Sequence, residues 1–201
     1  MITTGIFDIG GVLHSNEMEH VYKDIRTYFE LSEENFEKAY RSLITLHTTG
    51  KISEQEFWDR FCREIDSRKP LPEKSLFLRE FEARFHPYTE VVELVKELKK
   101  NGYRLAALSD TMDSHASFLK DHGIYDLFSD HFFSHEVGMK KPASDIYLLT
   151  LEKLEIQPEE AFFVDDKLEN VKTARKLGIH EIVFENSDKL KRDLLSLGVK
   201  I

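Results

Sequence analysis

Four places in this chain combine a short apolar run with a residue able to bind or attack an anion. Asp8 follows Gly5-Ile6-Phe7, Ser109 and Asp110 follow Leu105-Ala106-Ala107-Leu108, Lys141 stands in Gly138-Met139-Lys140-Lys141-Pro142, and Asp165-Asp166 follow Phe162-Phe163-Val164. A carboxylate such as Asp8 can attack phosphorus and form an aspartyl-phosphate, which splits one hard displacement into two easier ones. Two anions repel, so such a reaction needs a cation, and a hard cation takes carboxylate and backbone oxygens. The adjacent Asp165 and Asp166 repel each other unless something positive lies between them and Asp8. Neighbouring strand residues point to opposite sides, so one carboxylate reaches a cation directly and the other through water or a donor. Either aspartate can instead cap the helix that starts at Lys167. Asn170 is placed to orient this loop.

Ser109 ends a strand ahead of a helix, where its hydroxyl and nearby backbone N–H groups can bind phosphate oxygens or simply cap the helix. Asp110 beside it opposes a bound dianion unless it turns away or takes up a proton. Pro142 suits the first turn of a helix and pushes Lys141 toward an extended conformation, from which a lysine reaches across loops, whereas Lys140 is the solvated partner. His14, Ser15 and Asn16 lie where the chain leaves the first strand, as substrate contacts or as a linker. Among the nine histidines there is no HExxH pair, and Cys62, beside Phe61, has no activating base in its surroundings and reads as structural.

Positioning these groups requires a sheet. Residues 5–13, GIFDIGGVL, read as a buried parallel strand delivering Asp8 to a turn of two glycines, Gly10 and Gly11. In doubly wound sheets ligands bind beyond the carboxyl ends of the strands, where the strand order reverses. From about Asn16 to Phe85 the strand pattern gives way to about four consecutive helices. Phe36, Ala39, Tyr40, Leu43 and Ile44 share one helical face, Gly50 ends that helix, and Ser53-Glu54-Gln55-Glu56 is a capping box opening a helix that turns Phe57, Phe61 and Ile65 inward. A last amphipathic piece runs from about Pro72 to Phe85.

Helices and strands then alternate: a helix at 88–100, a strand at 103–108, a helix at 113–122, a short strand at 131–134, a helix at 143–154, a strand at 161–164, a helix at 167–177, a strand at 180–184 and a helix at 187–197. This alternation predicts a parallel sheet covered on both faces, an α/β doubly wound fold carrying an inserted helical bundle. The expected division is a core of residues 1–15 and 86–201 and a helical cap of residues 16–85.

The 201 residues, 41% hydrophobic, suffice for one large core with such an insertion. A net charge of -9 argues against a nucleic-acid backbone as partner. An anionic substrate therefore needs local positive charge or a metal. The single cysteine forms no internal disulfide, and neither a signal-peptide pattern nor a membrane-spanning apolar run is evident, so no membrane partner and a cytoplasmic location are expected.

The residues FDIGGVL around Asp8, LAALSD around Ser109, GMKKP around Lys141 and FFVDDKLENV around Asp165-Asp166 resemble, in order and spacing, the four motifs of haloacid dehalogenase-like hydrolases. The resemblance covers nearly the whole chain and is nearest to small-molecule phosphatases with a helical cap, including the phosphatase domains of bifunctional epoxide hydrolases; Gly50 to Trp58 resembles the cap of that branch. It implies a Rossmann-like core and magnesium as cofactor. It also implies Asp8 as nucleophile and metal ligand, with Asp166 as direct metal ligand and Asp165 as indirect one. The backbone carbonyl of Gly10 joins the metal. Ser109, with Asp110 next to it, contacts the phosphate, and Lys141 neutralises both nucleophile and phosphate. The implied substrate is a small phosphorylated metabolite. In one respect the chain departs from the pattern: most phosphatases of the family carry a second aspartate two positions after the nucleophile, and here that position is Gly10. A catalytically weak phosphate-responsive binding module, or a carbon–halogen hydrolase that needs no magnesium, are the alternatives this departure leaves; the Asp165-Asp166 pair counts against the second.

Overall fold

The computed structural model describes residues 1–16 and 18–201. Five parallel strands, β1 (Thr4–Phe7), β2 (Arg104–Ser109), β3 (Asp130–Phe133), β4 (Ala161–Asp165) and β5 (His180–Val183), lie in the order β3-β2-β1-β4-β5. The chain builds outward from β1 in one direction, through β2 to β3, then returns to add β4 and β5 on the other side. The reversal therefore falls at the central strand, the one that delivers Asp8.

Side-chain alternation sorts the strand residues between two cores. Phe7, Leu105, Ala107, Phe162, Val164 and Ile182 face one way, Ile6, Ala106, Leu108, Phe132 and Phe163 the other. Both faces are buried, which is why β1 and β4 read as continuous apolar runs rather than alternating ones. The second face is covered by α8 (Ser144–Leu154) and α9 (Leu168–Lys176), which bring Ile146, Tyr147, Leu151, Leu154 and Ala174 onto it. The first face is covered by α5 (Thr89–Lys100), α6 (Asp113–Asp121) and α10 (Ser187–Ser196). A four-residue α7 (Ser134–Val137) follows β3.

Between β1 and α5 stand four helices: α1 (Met18–Phe29), α2 (Glu33–Thr48), α3 (Glu54–Glu64) and α4 (Leu76–Arg84). Their facing surfaces are aromatic. Phe57 stacks on Phe61 at 5.9 Å between ring centres, and Trp58 meets both edge-on. Ser53 caps α3 by accepting the Glu56 N–H (3.1 Å), while the Glu56 carboxylate pairs forward with Arg60. Gly50 follows α2 with φ +66°, and a Cβ there would lie 2.0 Å from the His135 carbonyl oxygen, so the helix end rests directly on the backbone of α7. The buried Ser134 joins the same contact: its hydroxyl donates to the Thr48 carbonyl (2.6 Å) and accepts the Thr111 N–H (3.0 Å).

The segments flanking the four helices pair with each other. His14 bridges Pro87, Ser15 N–H donates to the His86 carbonyl (3.1 Å), and Tyr88 N–H donates to the Leu13 carbonyl (2.8 Å). One continuous apolar cluster runs from the inserted helices, through Met112, Ala116 and Leu119, to the sheet. No helix among the described residues is long and apolar enough to cross a membrane.

Candidate active site

The carboxyl ends of β1, β2 and β4 meet at Lys141. Its ammonium lies 2.9 Å from Asp8 Oδ1 and 2.7 Å from Asp165 Oδ2, donates to the Leu108 carbonyl at 2.9 Å, and stands 5.5 Å from the centre of the Phe163 ring. Lys141 is 2% exposed, Asp165 0% and Asp8 6%, so this is a buried charge cluster. A lone buried ammonium would lose its proton; here burial opposes the charge, but Asp8, Asp165 and Asp110 together hold the Lys141 pKa above its ordinary value. Burial dominates at Asp8, whose pKa is pushed up to about 7 against the pull of Lys141, with Asp165 adding to the rise.

Asp165 is fully committed within the protein. Besides Lys141, it accepts from Asn170 Nδ2 (3.0 and 2.9 Å to its two oxygens) and from the Lys167 N–H (2.8 Å). Asn170 thus orients the loop, and Tyr147, whose hydroxyl donates to the Asn170 carbonyl (3.0 Å), secures it from α8. Asp166, next in the chain, is packed against the glycine turn that follows β1. Its carboxylate lies against Gly11, where a Cβ would sit 2.4 Å from Oδ2, and its buried Oδ1 has no hydrogen-bond partner. Burial, followed by Asp165, raises its pKa.

Asp8, Asp165 and Asp166 each offer an oxygen within 4.8 Å of the others. Three carboxylates against one ammonium leave a negative excess, and the orphaned Asp166 oxygen lacks a positive partner. An all-oxygen donor set of this charge fits a hard divalent cation such as magnesium.

Asp110 lines the cavity over the site and is also tied to the chain that carries the lysine. Its Oδ1 accepts the Lys141 N–H (3.0 Å), fixing the backbone that presents the lysine, and burial raises its pKa. Two local expectations are corrected. Pro142 does not open a helix: it lies in a turn closed by Ala143 N–H to the Lys140 carbonyl (3.1 Å), and α8 starts at Ser144 with Ala143 as its N-cap residue. Ser109 does not stand at a helix N-terminus, because Asp110, Thr111 and the N-cap residue Met112 intervene before α6.

A cavity of about 110 Å³ opens over this cluster, lined by Asp8, Gly10, Ser109, Asp110 and Lys141 from the strand ends and by His14, Asn16, Met18 and Phe81 from the segment leading into the helices and the helices themselves. It is small beside the roughly 300–1,000 Å³ of clefts that hold drug-sized ligands. Thr111, His115, Leu119 and Lys167 complete it. Sequence reasoning did not single out these four. Lys167 was marked only by adjacency to Asp165-Asp166, and His115 by nothing local, since α6 carries it into the cavity wall through packing. His115 Nε2 donates to the Phe77 carbonyl of α4 (2.9 Å), the ring stacks on Phe81 at 3.9 Å, and burial lowers its pKa to about 4, so the imidazole is neutral.

The chain matches the family model of haloacid dehalogenase-like hydrolases over residues 2–178. It is 28% identical over 187 residues to the sesquiterpene phosphatase astK of Aspergillus oryzae, a match covering 87% of this chain and 85% of that one. To the glyceraldehyde 3-phosphate phosphatase of Methanopyrus kandleri it is 24% identical over 204 residues, covering 89% of this chain and 82% of the relative. Its fold superposes with a TM-score of 0.78 on a family enzyme of Bacteroides thetaiotaomicron whose structure holds magnesium and inorganic phosphate, at 24% identity, covering 92% of this chain and 96% of that one.

Proposed function

We propose that this chain, which belongs to the haloacid dehalogenase-like hydrolases, is a magnesium-dependent phosphatase that cleaves a small phosphorylated metabolite through an aspartyl-phosphate on Asp8. The observation that carries the reading is the buried arrangement of Asp8, Lys141 and Asp165 beneath a small cavity, with an Asp166 carboxylate oxygen within 4.8 Å of those of Asp8 and Asp165. Asp8, Asp166 and the Gly10 carbonyl would hold the metal, with Asp165 behind them. When bound, magnesium supplies the positive charge that lets an anionic carboxylate approach an anionic phosphate.

The remaining work falls to the chain itself. Lys141 keeps Asp8 oriented and offers its charge to the phosphate oxygens as they approach. The Ser109 hydroxyl binds an equatorial oxygen, and Lys167 at the cavity wall adds a second cation for the incoming dianion. Asp8 attacks phosphorus, the bond to the leaving oxygen breaks, and water then cleaves the aspartyl-phosphate to return the carboxylate and release inorganic phosphate. Residues 16–85 act as the cap, and Met18 and Phe81 shelter the reacting atoms from bulk water. The limited cavity supports a small substrate.

A panel of phosphorylated metabolites, assayed for phosphate release with magnesium and with a chelator, tests this. The expected result is magnesium-dependent release, with a trapped acyl-phosphate in the parent and none in Asp8→Asn. Parental turnover by a folded Asp8→Asn protein would refute the covalent route. Halide release from 2-haloacids without magnesium would assign the site to carbon–halogen hydrolysis instead.

A further inference from the structure

We propose that Ser134 is a positioning residue for phosphate binding: its hydroxyl fixes the segment that presents Ser109 and ties that segment to the C-terminal end of α2. This rests on the phosphatase reading above. The placement starts with strand register. Ser109 at the end of β2 stands opposite Phe133 at the end of β3, so the next residues, Asp110 and Ser134, leave the sheet side by side. Beyond Ser109 the chain has left β2 and has not yet entered α6, which starts at Asp113. Two ties from other parts of the chain hold it there. Asp110 Oδ1 accepts the Lys141 N–H, and the Ser134 oxygen accepts the Thr111 N–H (3.0 Å). Thr111 lines the cavity beside Ser109 and Asp110. Ser134 is 0% exposed and outside that lining, so it acts on a bound phosphate only through its neighbours.

The hydroxyl has one hydrogen and two carbonyl oxygens within reach, Thr48 at 2.6 Å and Thr111 at 3.1 Å. The shorter contact takes the hydrogen and leaves the lone pairs to the Thr111 N–H. Gly50 enforces that contact, because its close seat on the His135 carbonyl keeps the end of α2 against α7. A path of backbone and hydroxyl groups therefore runs from the end of α2 through Ser134 and Thr111 to Ser109, whose hydroxyl is assigned above to an equatorial phosphate oxygen. Replacing Ser134 by alanine would leave the buried Thr111 N–H unpaired, and the segment would shift to recover a partner.

The test is calorimetric titration with inorganic phosphate in the presence of magnesium, beside steady-state kinetics on 4-nitrophenyl phosphate and urea unfolding. The proteins are the parent, Ser134→Ala, Gly50→Ala and Ser129→Ala. Gly50→Ala breaks the same path from the other side, because its methyl cannot stand 2.0 Å from the His135 carbonyl oxygen and the end of α2 must lift from α7. Ser129→Ala is the control: just before the opposite end of β3, it removes a hydroxyl that donates to the Leu105 carbonyl of β2 (3.1 Å).

A hydrogen bond to a charged oxygen is worth about tenfold to a hundredfold in affinity. Ser134→Ala and Gly50→Ala should each weaken phosphate binding within that range and raise KM alike, with kcat changing less, while Ser129→Ala keeps the parental values. In the double variant the two losses should not add, and full additivity would overturn the coupling to α2. Parental phosphate affinity and KM in a folded Ser134→Ala, with only a lower urea midpoint, would overturn the proposal and leave Ser134 as packing, with the phosphatase reading intact. A parent that binds no phosphate and releases none from any ester in the panel would refute both.

Discussion

Gly11→Ala probes the proposed metal site without touching a proposed ligand. Gly11 has φ +83°, a conformation that costs a residue with a Cβ about 1–3 kcal/mol. The new methyl would also stand 2.4 Å from Asp166 Oδ2 and 2.7 Å from Cγ, where non-bonded contacts of carbon want about 3.5 Å, so the carboxylate must retreat by about 1 Å. Asp166 cannot do so and keep its place beside Asp8. Because a misplaced supporting residue typically weakens metal affinity about tenfold to a hundredfold, Gly11→Ala should bind magnesium that much less tightly while denaturing at lower urea by the strain term. Calorimetric titration with magnesium, beside urea unfolding of the same samples, reads both effects. Parental magnesium affinity in the variant would show that Asp166 is not a ligand held against Gly11, and parental stability would refute the strain argument.

Three further outcomes follow from the same contacts. Asp166→Ala should lose magnesium binding that Glu169→Ala, one turn away on the surface of α9, retains; equal titrations would remove Asp166 from the ligand set. Lys141→Met leaves Asp8 and Asp165 buried without their cation and should destabilise the protein by about 3–5 kcal/mol in chemical denaturation, whereas a loss well below that would mean the carboxylates find other partners. His115 is held neutral when folded, at about 4 against an ordinary 6.5, so the unfolded chain takes the proton first and stability falls as pH drops below 6.5. Between pH 7 and about pH 4.5 the parent should therefore lose about 2.5 kcal/mol more than His115→Gln, measured by urea unfolding at both pH values, and parallel losses would refute the assignment.

The features legible in the sequence are those dictated locally. Apolar runs ending in Asp8, Ser109 and Asp165 mark strand ends because a strand buried on both faces must stop where polar groups begin, and parallel pairing then sends those ends to one edge of the sheet. Ser53 and Gly50 marked helix limits for equally local reasons of capping and backbone angle. Pro142 misled because a proline that suits a first helical turn also suits a turn outside the helix, and local chemistry does not choose between them. The partner of Asp110, a backbone N–H thirty-one residues further on, leaves no mark in the local sequence. His115 was hidden more deeply: it reaches the cavity through packing of α6 against α4, and it leaves no spacing that separates it from a surface histidine.

The pairing of the two segments that flank the inserted helices bears on interchangeability. Ser15 and His86 are hydrogen-bonded neighbours, so in chain path the whole stretch between them begins and ends at one point and can be replaced by anything whose own ends lie that close. Packing sets a stricter rule. The apolar cluster crosses that boundary without a break, and a substitute must offer a surface that covers Met112, Ala116 and Leu119 of the host. A graft of helices from a relative therefore succeeds or fails on the face of α6, and a transplant that carries α6 with it moves both packed surfaces as a matched set.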